Sequence, residues 1–114
     1  MTNEMDISKG TVLKFGYRVE EVLWFEELYT QYSEHKRLQV FIQKGCKCVN
    51  CGVEGKHLIK AIDKGGGIHV DLYTDNLDLM TVDHIIPKSK KGKSHISNYQ
   101  PMCYTCNQEK RDIL

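Results

Sequence analysis

The chain has 114 residues, of which 40% are hydrophobic and 27% charged, and this length suits a single domain. No stretch reaches the roughly 18 consecutive apolar residues of a membrane span, and the opening MTNEMDISKG lacks the apolar core of a secretory signal. These features exclude a membrane protein and predict a cytoplasmic one whose five cysteines are reduced.

The net charge of +1 is distributed unevenly along the chain. Residues 1–40 carry five basic and seven acidic residues, residues 41–83 carry five and six, and residues 84–114 carry six and two. The positive charge is therefore concentrated near the C-terminus. A basic segment alone is most often a solvated surface, and the acidic N-terminal half is not expected to assist nucleic-acid binding.

The first forty residues are predicted to form a short strand and an amphipathic helix. Residues 10–19 alternate in polarity as a strand does. Residues 18–37 place Val22, Phe25 and Leu28 at three-residue steps opposite a row of glutamates, which is typical of a helix. We interpret its aromatic stripe as core packing, with a partner groove as the alternative.

The rest of the chain is predicted to contain strands, a loop and a terminal helix. Residues 38–44 indicate an apolar strand that leads into a cysteine-containing turn. Residues 65–87 indicate two strands joined as a hairpin by the turn TDN. Residues 92–101 lack clear periodicity and are interpreted as a loop, and residues 104–114 as a short helix.

Four of the five cysteines form two pairs, Cys48 and Cys51 in CVNC and Cys103 and Cys106 in CYTC. Two such pairs suit one tetrahedral Zn²⁺, which would join segments remote in sequence. A zinc ion with four sulfur ligands has no open position for water, so it would be structural. A redox pair or unliganded thiols are the alternatives, and the remaining Cys46 is interpreted as a simple thiol.

Between and beside these cysteines lie Asp83, His84, Asn98 and Asn107. The oxygen atoms of Asp83 and Asn107 suit a hard cation such as Mg²⁺ or Mn²⁺, and His84 can take a proton from water at neutral pH. A lone histidine in a strand is more often structural. The combination favours a metal-dependent phosphodiesterase in which Asp83, His84, Asn98 and Asn107 form the catalytic site.

Asp83 and His84 are adjacent, so in a regular strand their side chains would point to opposite faces. We therefore expect a strand end or bulge near Ile85 that lets both reach one side of a phosphate. Pro87 is expected to close the strand.

A lysine-rich loop follows this strand, and two more basic residues follow Asn107 on the terminal helix. Such cations suit a phosphate backbone and give salt-sensitive binding with little base selectivity. The predicted nucleic-acid contacts are Lys88, Lys90, Lys91, Lys93, Lys110 and Arg111. His95, beside the loop, is a weaker candidate for the same contact.

The segments VDHIIPKSKKG, SNYQPMC and CYTCNQEKRD resemble the HNH endonuclease family. The resemblance implies an α+β fold with a small ββα-metal (His-Me finger) core and a structural zinc site. It divides the chain into an N-terminal helix/strand extension, residues 1–44, and a nuclease core, residues 45–114, with an inserted β-hairpin at about residues 54–80.

The same resemblance assigns roles to the four candidate catalytic residues. His84 is the implied general base, Asp83 and Asn107 the ligands of the catalytic cation, and Asn98 the residue that orients the loop and the histidine. The family's final histidine is replaced by Asn107. The nuclease domain of RNA-guided CRISPR effectors is similar in this respect, so the replacement does not imply inactivity.

The predicted function is metal-dependent endonuclease cleavage of DNA, by nicking or double-strand cutting, with RNA as another substrate class. A phage, a mobile element or a bacterial restriction system is the expected source. The alternative is a zinc-stabilised module of the same fold that binds nucleic acid or protein without cutting. A redox or zinc-handling protein is the third reading. The N-terminal half could form a homodimer or contact a protein partner.

Overall fold

The computed structural model describes residues 7–113, with side chains described up to residue 110. This part of the chain contains five strands and two α-helices, which confirms the predicted α+β class. The elements are β1 (Arg18–Leu23), α1 (Leu38–Lys44), β2 (Gly55–Ile62), β3 (Ile68–Thr74), β4 (Met80–His84), β5 (Tyr99–Cys103) and α2 (Tyr104–Ile113). No helix in this part of the chain is long and apolar enough to cross a membrane.

The first sheet is antiparallel and has the strand order β1-β2-β3. β2 and β3 form the inserted hairpin, whose turn is held by the Asp63 carboxylate as it accepts hydrogen bonds from the N–H groups of Gly65 and Gly67 at 2.9 and 2.8 Å. β1 adds a third strand from the N-terminal segment. The central strand β2 is therefore flanked by two segments that are remote from each other in sequence.

The second sheet contains β4 and β5, with Met80 opposite Cys103 and His84 opposite Tyr99. α2 begins at the residue after β5 and packs on both strands, so these three elements form the ββα unit. The Asp78 carboxylate accepts hydrogen bonds from the Thr105 backbone N–H at 3.2 Å and from its hydroxyl at 2.8 Å. It thereby caps the first turn of the helix.

Both faces of the three-stranded sheet are buried. Leu58 and Ile59 point to opposite faces of β2, and both are fully buried in separate hydrophobic clusters. The cluster around Leu58 includes the four buried cysteines, Phe41 of α1 and Met80 of β4, so it joins the two sheets. Gly55 is required at this junction, because an added Cβ would lie 2.6 Å from the Leu72 side chain.

Three predictions for the N-terminal half are wrong. Residues 10–19 contain only a short 3₁₀ turn, Lys14–Gly16, and a bridge from Val12 to Arg18 before β1 begins. Residues 18–37 form β1, a 3₁₀ turn at Phe25–Leu28 and further turns instead of a long helix. Residues 38–44 are helix α1 and not a strand. In each case the pairing of β1 with β2 or burial against the core outweighs local propensity.

The two strands predicted within residues 65–87 exist as β3 and β4, but they do not form a hairpin with each other. A single bridge from Tyr73 to Leu79 connects them. β3 pairs with β2, which the sequence interpretation did not identify, and β4 pairs with β5, whose first residues were interpreted as loop. The predicted terminal helix is confirmed as α2. The predicted boundary at residue 44 stays a prediction.

Candidate active site

The four paired cysteines lie together, as the sequence predicts. The Sγ atoms of Cys48, Cys51, Cys103 and Cys106 are all within 4.8 Å of one another, and those of Cys51 and Cys103 are 3.9 Å apart. Zinc–sulfur bonds of about 2.3 Å in a tetrahedron separate the sulfur atoms by about 3.8 Å. The cluster is therefore positioned for a structural zinc ion.

Neighbouring groups donate hydrogen bonds to the sulfur atoms of this cluster. The Asn50 amide donates a hydrogen bond to Cys106 Sγ at 3.3 Å, and the Cys106 backbone N–H donates one to Cys103 Sγ at 3.4 Å. Burial opposes ionisation of Cys48, but backbone N–H groups outweigh it and lower the pKa of this thiol to about 7. Cys46 is buried outside the cluster, with its Sγ 4.0 Å from the Phe41 carbonyl oxygen.

One face of β4 meets helix α2, and this face carries Asp83. The buried Asp83 carboxylate accepts hydrogen bonds from Gln100 Nε2 at 2.9 Å and from Lys110 Nζ at 2.7 Å. Asn107, one helical turn before Lys110, donates through Nδ2 to Thr81 Oγ1 at 2.9 Å. Asp83 and Asn107 therefore both lie at the contact between β4 and α2.

The oxygen atoms in this contact suit the divalent cation that the sequence predicts. The Asp83 carboxylate is a hard anionic donor, and Asn107 Oδ1 makes no hydrogen bond within the part of the chain that the structure describes. An ammonium group, that of Lys110, already lies against the carboxylate. Positive charge is thus accommodated here, and Mg²⁺ commonly uses one or two protein oxygen atoms and completes its shell with water.

The other face of β4 carries His84. Its ring lies edge-on to Tyr99, with ring centroids 5.0 Å apart. Nε2 is buried and has no hydrogen-bond partner among the described residues. The ring lines a groove of about 580 Å³ between β4, helix α1 and the loop before β5. A buried imidazole nitrogen without a partner lacks a hydrogen bond that a water molecule or a phosphate oxygen would supply.

The expected bend between Asp83 and His84 is wrong. β4 does end at His84, close to the predicted position, but the register is regular through the pairs Asp83–Gln100 and His84–Tyr99. The two side chains consequently diverge to opposite faces. β4 is nevertheless an edge strand of its two-stranded sheet, so its other edge is free of a strand partner from Met80 to His84.

Asn98 is buried and connects the two ends of the lysine-rich loop. Its Oδ1 accepts a hydrogen bond from the Ile86 N–H at 2.9 Å, and its Nδ2 donates to the carbonyl oxygens of Ile86 and Lys93, both at 3.0 Å. These three bonds fix the chain on both sides of the loop. The position of the residues that follow His84 therefore depends on Asn98.

The predicted phosphate-binding cations fall into three groups. The four loop lysines are exposed and make no ion pair or hydrogen bond through Nζ with any described residue: Lys88, Lys90, Lys91 and Lys93. Lys110 is paired with Asp83, so it is not free to contact a phosphate while that pair persists. The side chain of Arg111 lies outside the described residues.

Sequence interpretation did not identify two contributors to the site. Gln100 reaches Asp83 because β5 pairs with β4, and β5 was not predicted there. Residues 36–40, from the acidic half of the chain, form one wall of the groove beside His84. The only sequence signal for this wall is the adjacent pair Lys36 and Arg37 within a mostly acidic segment.

Comparison with known proteins agrees with the geometry. Residues 48–112 match the family model described as HNH endonuclease, which covers more than half of the chain. No curated protein and no solved structure gives a significant match. The two cysteine pairs, β4, β5 and all but the last residue of α2 lie within the matched region. The chain therefore belongs to the HNH endonuclease family.

Proposed function

We propose that this protein is a metal-dependent endonuclease that hydrolyses phosphodiester bonds of DNA. The observation that carries the proposal is the end of β4, where a carboxylate and an imidazole occupy adjacent positions. Asp83 and Asn107 both lie where β4 meets α2, and the ring of His84, whose buried Nε2 has no partner among the described residues, lines an open groove. These groups supply cation ligands and a base at the free edge of one strand.

In the proposed reaction the scissile phosphate lies along this free edge. His84 takes a proton from a water molecule as the water oxygen bonds to phosphorus and the bond to the leaving sugar oxygen breaks. Asp83 and Asn107 would hold Mg²⁺ or Mn²⁺, which when bound offsets the charge on the phosphate and on the leaving oxygen. Asn98 positions the chain that follows His84 through its bonds to Ile86.

The loop lysines would hold the backbone of the substrate. Four exposed ammonium groups within six residues, Lys88 to Lys93, lie directly after the catalytic strand. Contacts of this kind bind any sequence and weaken as salt increases. The module alone is thus expected to cut with little sequence preference. The reduced thiolates that its zinc site needs fit the cytoplasm of a bacterium, whether the gene is bacterial or carried by a phage.

The test is conversion of supercoiled plasmid to nicked or linear DNA, with Mg²⁺ or Mn²⁺ added to zinc-loaded protein or omitted. We expect cutting that requires the added cation and falls at least 100-fold in His84→Ala, since general-base catalysis contributes roughly 10²- to 10⁴-fold. His35→Ala is the matched control, because His35 is exposed and its ring makes no hydrogen bond with any described residue. Circular dichroism and zinc content verify that both variants fold.

A second outcome would point to a different function. If the wild type binds DNA but never cuts it with either cation, the zinc-stabilised binding module replaces the nuclease. Cutting that persists in folded His84→Ala protein would retain the nuclease but remove His84 as its base. Parallel reactions with an RNA substrate distinguish the two nucleic acids.

A further inference from the structure

We infer that the N-terminal segment forms part of the nucleic-acid site, with Lys36 contacting a backbone phosphate next to the one that is cut. This inference rests on the proposed function and extends it to a surface outside the matched family region. The relevant surface is the groove beside His84, here called the His84 groove. Its floor is Val82 and His84 of β4 with Tyr99 of β5, and its walls are residues 36–40 and residues 94–96.

The His84 groove has the size and the access for a substrate strand. Its volume of about 580 Å³ lies in the roughly 300–1,000 Å³ range of ligand pockets. His84 lies in the floor, so a strand that places a phosphate at the end of β4 has its neighbouring nucleotide in the groove. The exposed lysine loop follows His84 in the sequence and leads into residues 94–96 of the groove wall.

The charge of the groove is suited to an anionic backbone. Lys36 is exposed and its Nζ makes no hydrogen bond or ion pair with any described residue, whereas the neighbouring Arg37 is neutralised by the buried Asp71 carboxylate. His95, on the opposite wall, bonds Ser97 through Nδ1, and its Nε2 has no partner within residues 7–110. No aspartate or glutamate of the described chain lines the groove.

The two walls are held at a fixed separation, so the groove exists before a substrate binds. Lys44, at the end of α1, donates from Nζ to the carbonyl oxygen of Ile96 at 2.7 Å and to that of Tyr99. Val40 of α1 is fully buried, and the Arg37–Asp71 pair anchors the segment before the helix to β3. A preformed site avoids the entropy cost of ordering a loop on binding.

The experiment measures binding of a short DNA duplex to zinc-loaded protein without Mg²⁺, and cleavage of the same duplex with Mg²⁺. Lys36→Ala is expected to weaken binding roughly three- to tenfold at low salt and to reduce the salt slope by about one phosphate contact. KM should rise with kcat nearly unchanged. Lys64→Ala is the matched control, since Lys64 is exposed in the β2–β3 turn and the change in net charge is the same.

Neutral methylphosphonate groups, placed singly at each phosphate flanking the cut, locate the contact. Neutralising the phosphate at one position should lower the affinity of the wild type but should not lower the affinity of Lys36→Ala any further. Two results would overturn the groove assignment while the wild type still cuts DNA and the nuclease stands. In the first, Lys36→Ala binds the duplex as tightly as Lys64→Ala does. In the second, Lys36→Ala binds more weakly than the wild type at every neutralised phosphate. If the wild type neither binds nor cuts DNA, both proposals fail together.

Discussion

Lys110 occupies the position that a divalent cation would take beside Asp83. Its ammonium group is 2.7 Å from Asp83 Oδ2 and also donates to the His84 carbonyl oxygen at 3.2 Å. A buried carboxylate needs a positive partner, and at this contact the chain supplies its own. On the proposed function, the divalent cation and Lys110 would therefore compete for the same carboxylate.

This competition predicts a specific response to Lys110→Met. The variant removes the ammonium partner of the buried Asp83 carboxylate. The free energy of unfolding measured without Mg²⁺ should therefore fall by about 1–3 kcal/mol. Added Mg²⁺ or Mn²⁺ should then raise the melting temperature more in the variant than in the wild type, because binding to the folded state stabilises it. Thermal unfolding of zinc-loaded protein measures both effects. An equal shift in the two proteins would contradict competition.

At the scale of single residues, the sequence correctly predicted those whose type and spacing are set by metal coordination. Cys48, Cys51, Cys103 and Cys106 come together because a metal site imposes both ligand type and spacing. The pairing of Lys110 with Asp83 was not predictable, because it depends on which face of β4 meets α2. The sequence contains both residues, but periodicity in one element does not reveal its partner.

Among the elements, α2 depends on a residue outside itself. Asp78 lies before β4, yet its carboxylate caps the helix through Thr105, and Lys14 lies 3.2 Å from its other oxygen. Burial raises the pKa of Asp78, but the bonds from Thr105 and the charge of Lys14 outweigh this, so the pKa lies below its usual value. The ionised form is therefore the one that supports the helix.

Asp78→Ala should lower the free energy of unfolding by about 1 kcal/mol, the usual loss for an N-cap. Asp78→Asn is the control, because an amide oxygen can still accept from Thr105. Asp78→Asn should retain most of the free energy of unfolding and lose only the contribution of the negative charge beside Lys14. Chemical denaturation of the zinc-loaded proteins measures the difference, and equal losses in both variants would show that the cap is unimportant.

The errors in secondary structure have a common cause. In β1, Val19 is buried against Ile59 and Ala61, but the valine and leucine positions of this strand also satisfy a helical period. In α1, Leu38, Val40 and Phe41 are buried within only seven residues, too few to display two helical turns. Short elements buried by tertiary contacts carry little periodicity, whereas α2, which has ten residues, was identified.

At the scale of the whole molecule, the zinc site connects distant parts of the chain. A bound structural zinc adds on the order of 10 kcal/mol of apparent stability, which exceeds what a chain of this size can afford to lose. Cys103→Ser should therefore abolish the folded state. Cys46→Ser should fold, since Cys46 is equally buried but lies outside the cluster. Circular dichroism with zinc analysis tests both, and a folded Cys103→Ser protein would contradict the prediction.

At the scale of the whole molecule, the averaged charge of the N-terminal segment differs from the charge that it presents at the His84 groove. Its acidic residues suggested a segment unsuited to nucleic acid, but folding places Lys36 and Arg37 beside His84 and keeps acidic side chains of the described chain out of the groove. The sequence gives the charges of a segment, but only the fold determines which of those charges lie at the site.

The same arrangement determines how the chain could be divided. The turn at Asp63–Gly67 lies between the two cysteine pairs, so a cut there leaves Cys48 and Cys51 on one fragment and Cys103 and Cys106 on the other. The first fragment keeps β1, α1 and β2, and the second keeps the entire ββα unit. Neither fragment can complete a four-sulfur site alone. Reassembly of such a split nuclease would depend on zinc, which would act as the signal that restores it.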